Sequence, residues 1–356
     1  MSAAPDARMN ARFDESALER YLTEHLPGFR GPMTVVQFSG GQSNPSYLLT
    51  TPERRFVLRR KPPGQLLPSA HAVDREFAVT FALSKSSNVP VARPHLLVTD
   101  ASIIGTEFYV MDYIEGRVFW DTSFPEVSRE ERPRYFDAMN AVLAELHTVD
   151  PVAAGLSSFG RSEGYLARQL ARWSRQYAQD SDVAGRVPAM ESMFEWLGKH
   201  LPSAEDAAIV HGDFRCDNLI FHPTEPRVLA VIDWELSTLG HPLADFAYHL
   251  MMYRMPTLAF PGLRDVDLAA LNIPSEHSYI DAYRRRTGVD VDVSLEPYIA
   301  FSLLRLAGIF HGIRGRMKRG TAASARAADY ARHVEAVAEL ALQITSPAGT
   351  GRAKRG

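Results

Sequence analysis

Eleven residues, HGDFRCDNLIF, run from His211 to Phe221 and set His211, Asp213, Arg215, Asp217 and Asn218 on one short loop. Apolar residues flank the loop, Ile209–Val210 before it and Leu219–Phe221 after it. Carboxylates are rarely buried without a partner. A loop between two segments of buried character that carries Asp213 and Asp217 must therefore engage a metal ion, a substrate proton or a structural Arg. A second acidic site follows in IDWE, where the β-branched run RVLAVI leads into Asp233 and Glu235. Two loop-borne acidic clusters, each behind a strand-like run, can hold a cation or steer a proton. His211, Asp213 and Asp233 could also be read as the ligands of a metallohydrolase, but no further His–x–His or His–x–x–Glu set accompanies them. Cys216 as a nucleophile would need an oriented base, and His211 is better placed to brace the loop by hydrogen bonds than to move protons.

These clusters need elements to hold them. DESALERYLTEHLPG reads as a leading helix capped near Asp14 or Ser16. TVVQFS and PSYLLTTPERRFVLRRK read as a strand meander with turns at Gly40–Gly41 and Thr51–Pro52. SAHAVDREFAVTFALSKS has a helical period that groups Val73, Phe77, Phe81 and Ala82 on one face, and HLLVTD and EFYVMDYI close a small sheet. After Gly116 helices dominate. RYFDAMNAVLAELHTV spaces Phe136, Met139, Leu143 and Leu146 for a buried stripe. EGYLARQLARWSRQYAQ, MESMFEWLGKHL, PYIAFSLLRLAGIFHGI and SARAADYARHVEAVAELALQI are helical as well.

The chain has 356 residues, 46% hydrophobic and 23% charged, with a net charge of −3. That suits a globular protein of about two domains. There is no basic stripe to bind nucleic acid and no apolar run near the ~20 residues that span a bilayer. The N-terminal residues lack the apolar core of a signal peptide. Cys216 is the single cysteine, so a disulfide framework and a thiolate zinc site are both excluded. A cytoplasmic setting is expected, with no nucleic acid and no membrane as partner. Nothing in the sequence speaks to oligomeric state.

HGDFRCDN fits His-Gly-Asp-x-x-x-x-Asn, and together with IDWE it resembles the aminoglycoside phosphotransferase and choline kinase-like family. The long match through VLRRKPPGQLLPSAHAVDREF is most similar to the kinase-like domain of acyl-CoA dehydrogenase family member 10/11 type proteins. The resemblance implies an α+β, protein-kinase-like two-lobed fold, with a small N-terminal antiparallel-sheet lobe and a larger, mainly helical C-terminal lobe. It implies a nucleotide-binding lobe over residues 1–111, a catalytic and acceptor-binding lobe over 112–345 and a disordered tail over 346–356. The activity implied is a kinase's, in the cleft between lobes, with ATP and Mg2+ as cofactors. Asp213 matches the catalytic Asp, Asn218 and Asp233 the metal ligands, and Asp245 a structural Asp that ties down the loop. Gly40, Gly41, Ser43 and Asn44 match a phosphate-covering hairpin, and Met111, Asp112 and Ile114 the connector that meets adenine. Arg59 stands where the family carries a Lys, with Lys61 on the same strand face, and Glu76 matches that cation's helix partner. Gly212 and Trp234–Glu235 depart from protein kinases, which disfavours an activation-loop switch and favours a small-molecule acceptor.

The acceptor is expected to be anionic or acyl-CoA-like, such as a hydroxyacyl-CoA. Tyr283 to Gly320 holds eight Lys/Arg against three Asp/Glu, a surplus that repels polycations. Arg305, inside the apolar run FSLLRLAGIF, needs an anionic partner from protein or ligand. An aminoglycoside or a choline- or homoserine-type acceptor is the alternative within the family, and a nucleotide-binding pseudokinase without turnover is the alternative outside catalysis.

Overall fold

The structure, a computed structural model, describes residues 13–38, 44–63, 72–203, 206–258, 261–289, 294–321 and 326–345. Along them run α1 (Glu15–His25), β1 (Thr34–Gln37), β2 (Ser46–Thr50), β3 (Arg55–Arg60), α2 (Val73–Ser86), β4 (Pro94–Val98) and β5 (Phe108–Asp112). Next come α3 (Arg132–Thr148), α4 (Tyr165–Ala184), α5 (Pro188–His200), β6 (Ala208–Val210), β7 (Leu219–Phe221), β8 (Val228–Val231) and β9 (Thr238–Gly240). Last are α6 (Pro242–Arg254), α7 (Glu276–Thr287), α8 (Glu296–Lys318), α9 (Ala327–Ala331) and α10 (Val334–Ile344). The described residues pack as two units. One draws on Met1–Phe119, Val149–Phe159 and Cys216–Ser237, the other on Trp120–Thr148, Gly160–Arg215 and Thr238–Gly356.

The first unit is built on an antiparallel sheet of order β1-β2-β3-β5-β4. The expected turn between β2 and β3 is closed by Thr51, whose N–H donates to Arg54 O at 2.9 Å and whose hydroxyl accepts from Arg54 N at 3.0 Å. Side chains alternate along a strand. Phe56 and Leu58 of β3 therefore join Leu18 and Leu22 of α1 in one core, while Arg59 faces the other side of the sheet, where α2 lies. Asp14 caps α1 by accepting from Ala17 N at 2.9 Å, one of the two caps the sequence offered. The face of α2 differs from expectation. Val73, Glu76, Val79, Thr80 and Leu83 are buried, whereas Phe77 and Ala82 are half-buried and Phe81 is 44% exposed. The helix turns to bring Glu76 to Arg59, and Phe81 stacks outside on Phe77. The rest of this unit is a small hairpin of β7 with β8, with Leu219 opposite Val231.

In the second unit α8 packs against α4, α6 and α10, and α3 against α7. Phe136, Met139, Leu143 and Leu146 of α3 are all fully buried, as their spacing predicts, each stabilising by about 2 kcal/mol. α6 is buried almost all round and carries Asp245 and His249 inward. The two-stranded pair of β6 with β9 delivers the chain to His211. The stretch read as one final helix is two, α9 and α10, parted at Arg332–His333 with no Gly or Pro to mark the break.

Candidate active site

Asp245 holds the loop that opened the sequence. One carboxylate oxygen accepts from His211 N at 2.7 Å and the other from Gly212 N at 2.9 Å. His147 Nε2 lies 3.2 Å from the first oxygen, and Tyr283 holds the far nitrogen of that ring at 2.6 Å. Burial alone would raise the Asp245 pKa, but the hydrogen bond and charge of His147 and the contacts from His211 leave it below the ordinary carboxylate value. Gly212 has φ +84°, a left-handed conformation that a side chain would strain. His211 is fully buried, and its Nδ1 accepts from Asp213 N at 3.2 Å, which makes it a brace.

Asp213 is therefore presented by a fixed backbone. Its Oδ1 accepts from the Tyr248 hydroxyl and lies 3.7 Å from Arg215 Nε. Burial, then the Asp213 charge, push the Tyr248 phenol well above its usual pKa, so it stays a donor. The guanidinium of Arg305 sits over the Tyr248 ring at 4.8 Å. One residue past Asp213, the Phe214 carbonyl accepts from His249 Nδ1 at 3.2 Å.

The first unit brings together a complementary set. Arg59 Nη2 lies 2.6 Å from Asp233 Oδ1 and 3.9 Å from Glu235 Oε2. Its Nε lies 2.8 Å from Glu76 Oε2, an ion contact without hydrogen-bond alignment. Glu76 also accepts from Asn44 Nδ2 at 2.6 Å and from the Tyr109 hydroxyl at 3.2 Å. Burial raises the Glu76 carboxyl above its usual pKa, with Arg59 pulling the other way. Arg59 stays a cation, because Glu76, Asp233 and Glu235 outweigh its own burial. Asp233 lies two residues beyond the end of β8 in a left-handed conformation, φ 67°, which Asp tolerates better than most residues. Asn218 O accepts from Ile232 N at 3.0 Å, so the two strands of one hairpin deliver Asn218 and Asp233 to the same end. An amide oxygen and a carboxylate are donors of the kind Mg2+ takes, with phosphate oxygens and water completing the shell, so this donor set fits the metal that the resemblance implies. Among the described residues, no group of three or more His, Cys, Asp or Glu could hold a metal by itself.

The profile of the phosphotransferase enzyme family matches residues 34–288, well over half of the chain. The chain belongs to this family. Acyl-CoA dehydrogenase family member 11 of Gallus gallus is 44% identical over 349 residues, 96% of this chain and 44% of the relative. Acyl-CoA dehydrogenase family member 10 of Mus musculus is 43% identical over 346 residues, 96% of this chain and 32% of the relative. The chain thus spans less than half the length of these curated relatives. A solved structure from Ralstonia eutropha that bears the name of an aminoglycoside phosphotransferase is 46% identical, with a TM-score of 0.85 over 93% of this chain and 98% of that one. Choline kinase from Cryptosporidium parvum, at 14% identity and a TM-score of 0.63 over 95% and 99%, shares the fold alone. The fold of this phosphotransferase is protein-kinase-like, and the family and its structural neighbours are kinases of small molecules.

Of the phosphotransferase's other expected site residues, Gly40, Gly41 and Ser43 lie outside the described residues. Asn44 is 1% exposed, with its side chain committed to Glu76. Met111 and Asp112 end β5, Ile114 follows, and all three are half-buried. The Asp112 N–H donates to Arg93 O at 2.9 Å, and its side chain meets His95 at 2.8 Å. Sequence reasoning missed Tyr248 and Tyr109. Tyr248 had a usable signal, since it follows Asp245 by three residues on one helix and so shares the face that meets the loop. Among the described residues, no helix is long and apolar enough to cross a membrane.

Proposed function

We propose that this phosphotransferase passes the γ-phosphate of ATP to the hydroxyl of an anionic or acyl-CoA-like acceptor, such as a hydroxyacyl-CoA. Asp213, steered by Tyr248, orients the acceptor hydroxyl and takes its proton as the oxygen bonds to phosphorus and ADP leaves. Mg2+, when bound, neutralises charge on the phosphates, with Asn218 and Asp233 as its protein ligands. Arg59 takes the place of the family Lys toward the phosphates, and Glu76 fixes its orientation. Backbone amides of Gly40, Gly41, Ser43 and Asn44 cover the phosphates, and Met111, Asp112 and Ile114 line the adenine site.

The observation that carries the reading is that Arg59 engages both Glu76 and Asp233, so the cation, its helix partner and the metal carboxylate form one connected set. The acceptor class draws support from the name of the curated relatives, acyl-CoA dehydrogenases, which contain a region like this chain. An ADP-release screen with Mg2+ and ATP, across hydroxyacyl-CoAs, choline, homoserine, sugars and kanamycin-type compounds, tests it. Turnover of hydroxyacyl-CoAs is expected. Selective turnover of the polycations would sink the acceptor class, and silence across the panel would leave a pseudokinase.

A further inference from the structure

We propose that Arg305 determines acceptor specificity by binding the acyl oxygen of the acceptor, carboxylate or thioester carbonyl, while the acceptor hydroxyl meets Asp213. The inference rests on the kinase reading above for the role of Asp213. Part of the basic segment from Tyr283 to Gly320 is answered by the protein itself. Arg286 pairs with Asp137 at 2.7 Å and Asn140 at 2.8 Å, Arg314 with Glu335 at 2.7 Å, and Arg319 with Asp180. Lys318 reaches the Ala184 carbonyl at 3.4 Å. Arg305 is different. Among the described residues it makes no hydrogen bond and no ion pair, and its recorded neighbour is the face of Tyr248. It is half-buried between Leu304 and Leu306, both buried, where a cation without an anion is costly.

Its position gives the missing partner a chemistry. A guanidinium stacked on a ring keeps its N–H edge for a planar, two-oxygen or carbonyl ligand. The ring it stacks on donates to Asp213, so one phenol separates the cation from the carboxylate that meets the hydroxyl. The anchored oxygen must then lie only a few bonds from the hydroxyl. An acyl oxygen of a short hydroxy acid or of its thioester meets that limit, and the phosphates of coenzyme A, a pantetheine arm away, do not.

The test is calorimetric binding to the full chain, with Mg2+ and a non-hydrolysable ATP analogue present, of short hydroxy acids with the hydroxyl at successive positions, their coenzyme A thioesters and the matching diols that lack the acyl oxygen. The acid or the thioester is expected to bind at least about tenfold more tightly than the diol. Arg305→Gln is expected to erase that preference and Arg305→Lys to restore part of it, with analogue binding on the same samples certifying that each variant is folded. Preference for the acid assigns a carboxylate, and preference for the thioester a carbonyl. Equal binding of the diol by the unaltered protein, an unchanged preference in Arg305→Gln, or no binding of either acyl compound would overturn the inference. Acyl binding that depends on Arg305 but is followed by no ADP release would overturn the kinase reading and leave this one standing.

Discussion

Arg59 and Asp213 stand at the centres of two oppositely balanced sites. In the first unit a single guanidinium faces three carboxylates, Glu76, Asp233 and Glu235. In the second a single carboxylate, Asp213, faces Arg215 directly and Arg305 through a tyrosine ring. Among these named residues, the first set holds more carboxylates than cations and the second more cations than carboxylates. On the proposed reading the first would take a metal cation on nucleotide phosphates and the second an anionic or carbonyl acceptor.

The largest expected effect lies on the Asp213 side. Asp213→Asn keeps the shape and removes the proton acceptor, so turnover should fall by about 10²–10⁴-fold while nucleotide affinity holds. Steady-state ADP release together with nucleotide titration checks this, and normal turnover would remove Asp213 from the chemistry. On the other side, Arg59→Ala leaves Glu76, 1% exposed, without its cation. A loss of about 3–5 kcal/mol in urea unfolding is expected, with weakened nucleotide binding. Lys61, whose partner Glu107 is partly exposed, should cost about 0–1 kcal/mol as Lys61→Ala. The reverse order would transfer the role to Lys61.

How much of this is legible without coordinates follows from what kind of contact each feature uses. The Asp14 cap, the Thr51 turn and the α3 stripe depend on neighbours within a few residues, and period and residue type show them. The His211–Phe221 loop and Asp233 stand out in the sequence because phosphoryl transfer, the proposed chemistry, asks for particular residues at a particular spacing. The face of α2 does not, since a ranking by hydrophobicity chooses Phe81 over Glu76, and only the long-range partner Arg59 makes Glu76 the buried residue. The charge surplus of Tyr283 to Gly320 is partly answered in the same long-range way. Its answering carboxylates, Asp137, Asp180 and Glu335, come from other helices.

A pH experiment sharpens the Asp213 half. His249 holds the Phe214 carbonyl through Nδ1, so its neutral Nε2 accepts from the Tyr279 hydroxyl at 2.7 Å. Burial pushes its pKa down to about 4, against about 6.5 in an unfolded chain. Between those values the unfolded state binds a proton that the folded state refuses, so stability is full above about pH 6.5 and declines as pH falls toward 4. The loss attributable to this residue is roughly 3 kcal/mol across the window. His241 and His311 shift in the same direction, so the measurement is the difference in pH slope between the unaltered protein and His249→Gln. Parallel slopes would show that His249 is not the group responsible.

A smaller effect than that of Asp213→Asn, and the one that most directly challenges the charge comparison, is expected at Asp233. Alanine is a poor probe here, because the φ of 67° would add backbone strain to the loss of charge. Asn adopts that conformation readily and keeps an oxygen toward Arg59, so Asp233→Asn changes charge and little else. If the first site holds more carboxylates than cations because a metal is to complete it, removing one carboxylate should weaken Mg2+-dependent nucleotide binding by at least about tenfold. Metal-free nucleotide binding should change less, or improve, since Arg59 then has one fewer carboxylate competing with phosphate. Titrating nucleotide with and without Mg2+ separates the two. An equal loss in both would mean that Asp233 serves only to hold Arg59, and the carboxylate excess of this site would then be structural.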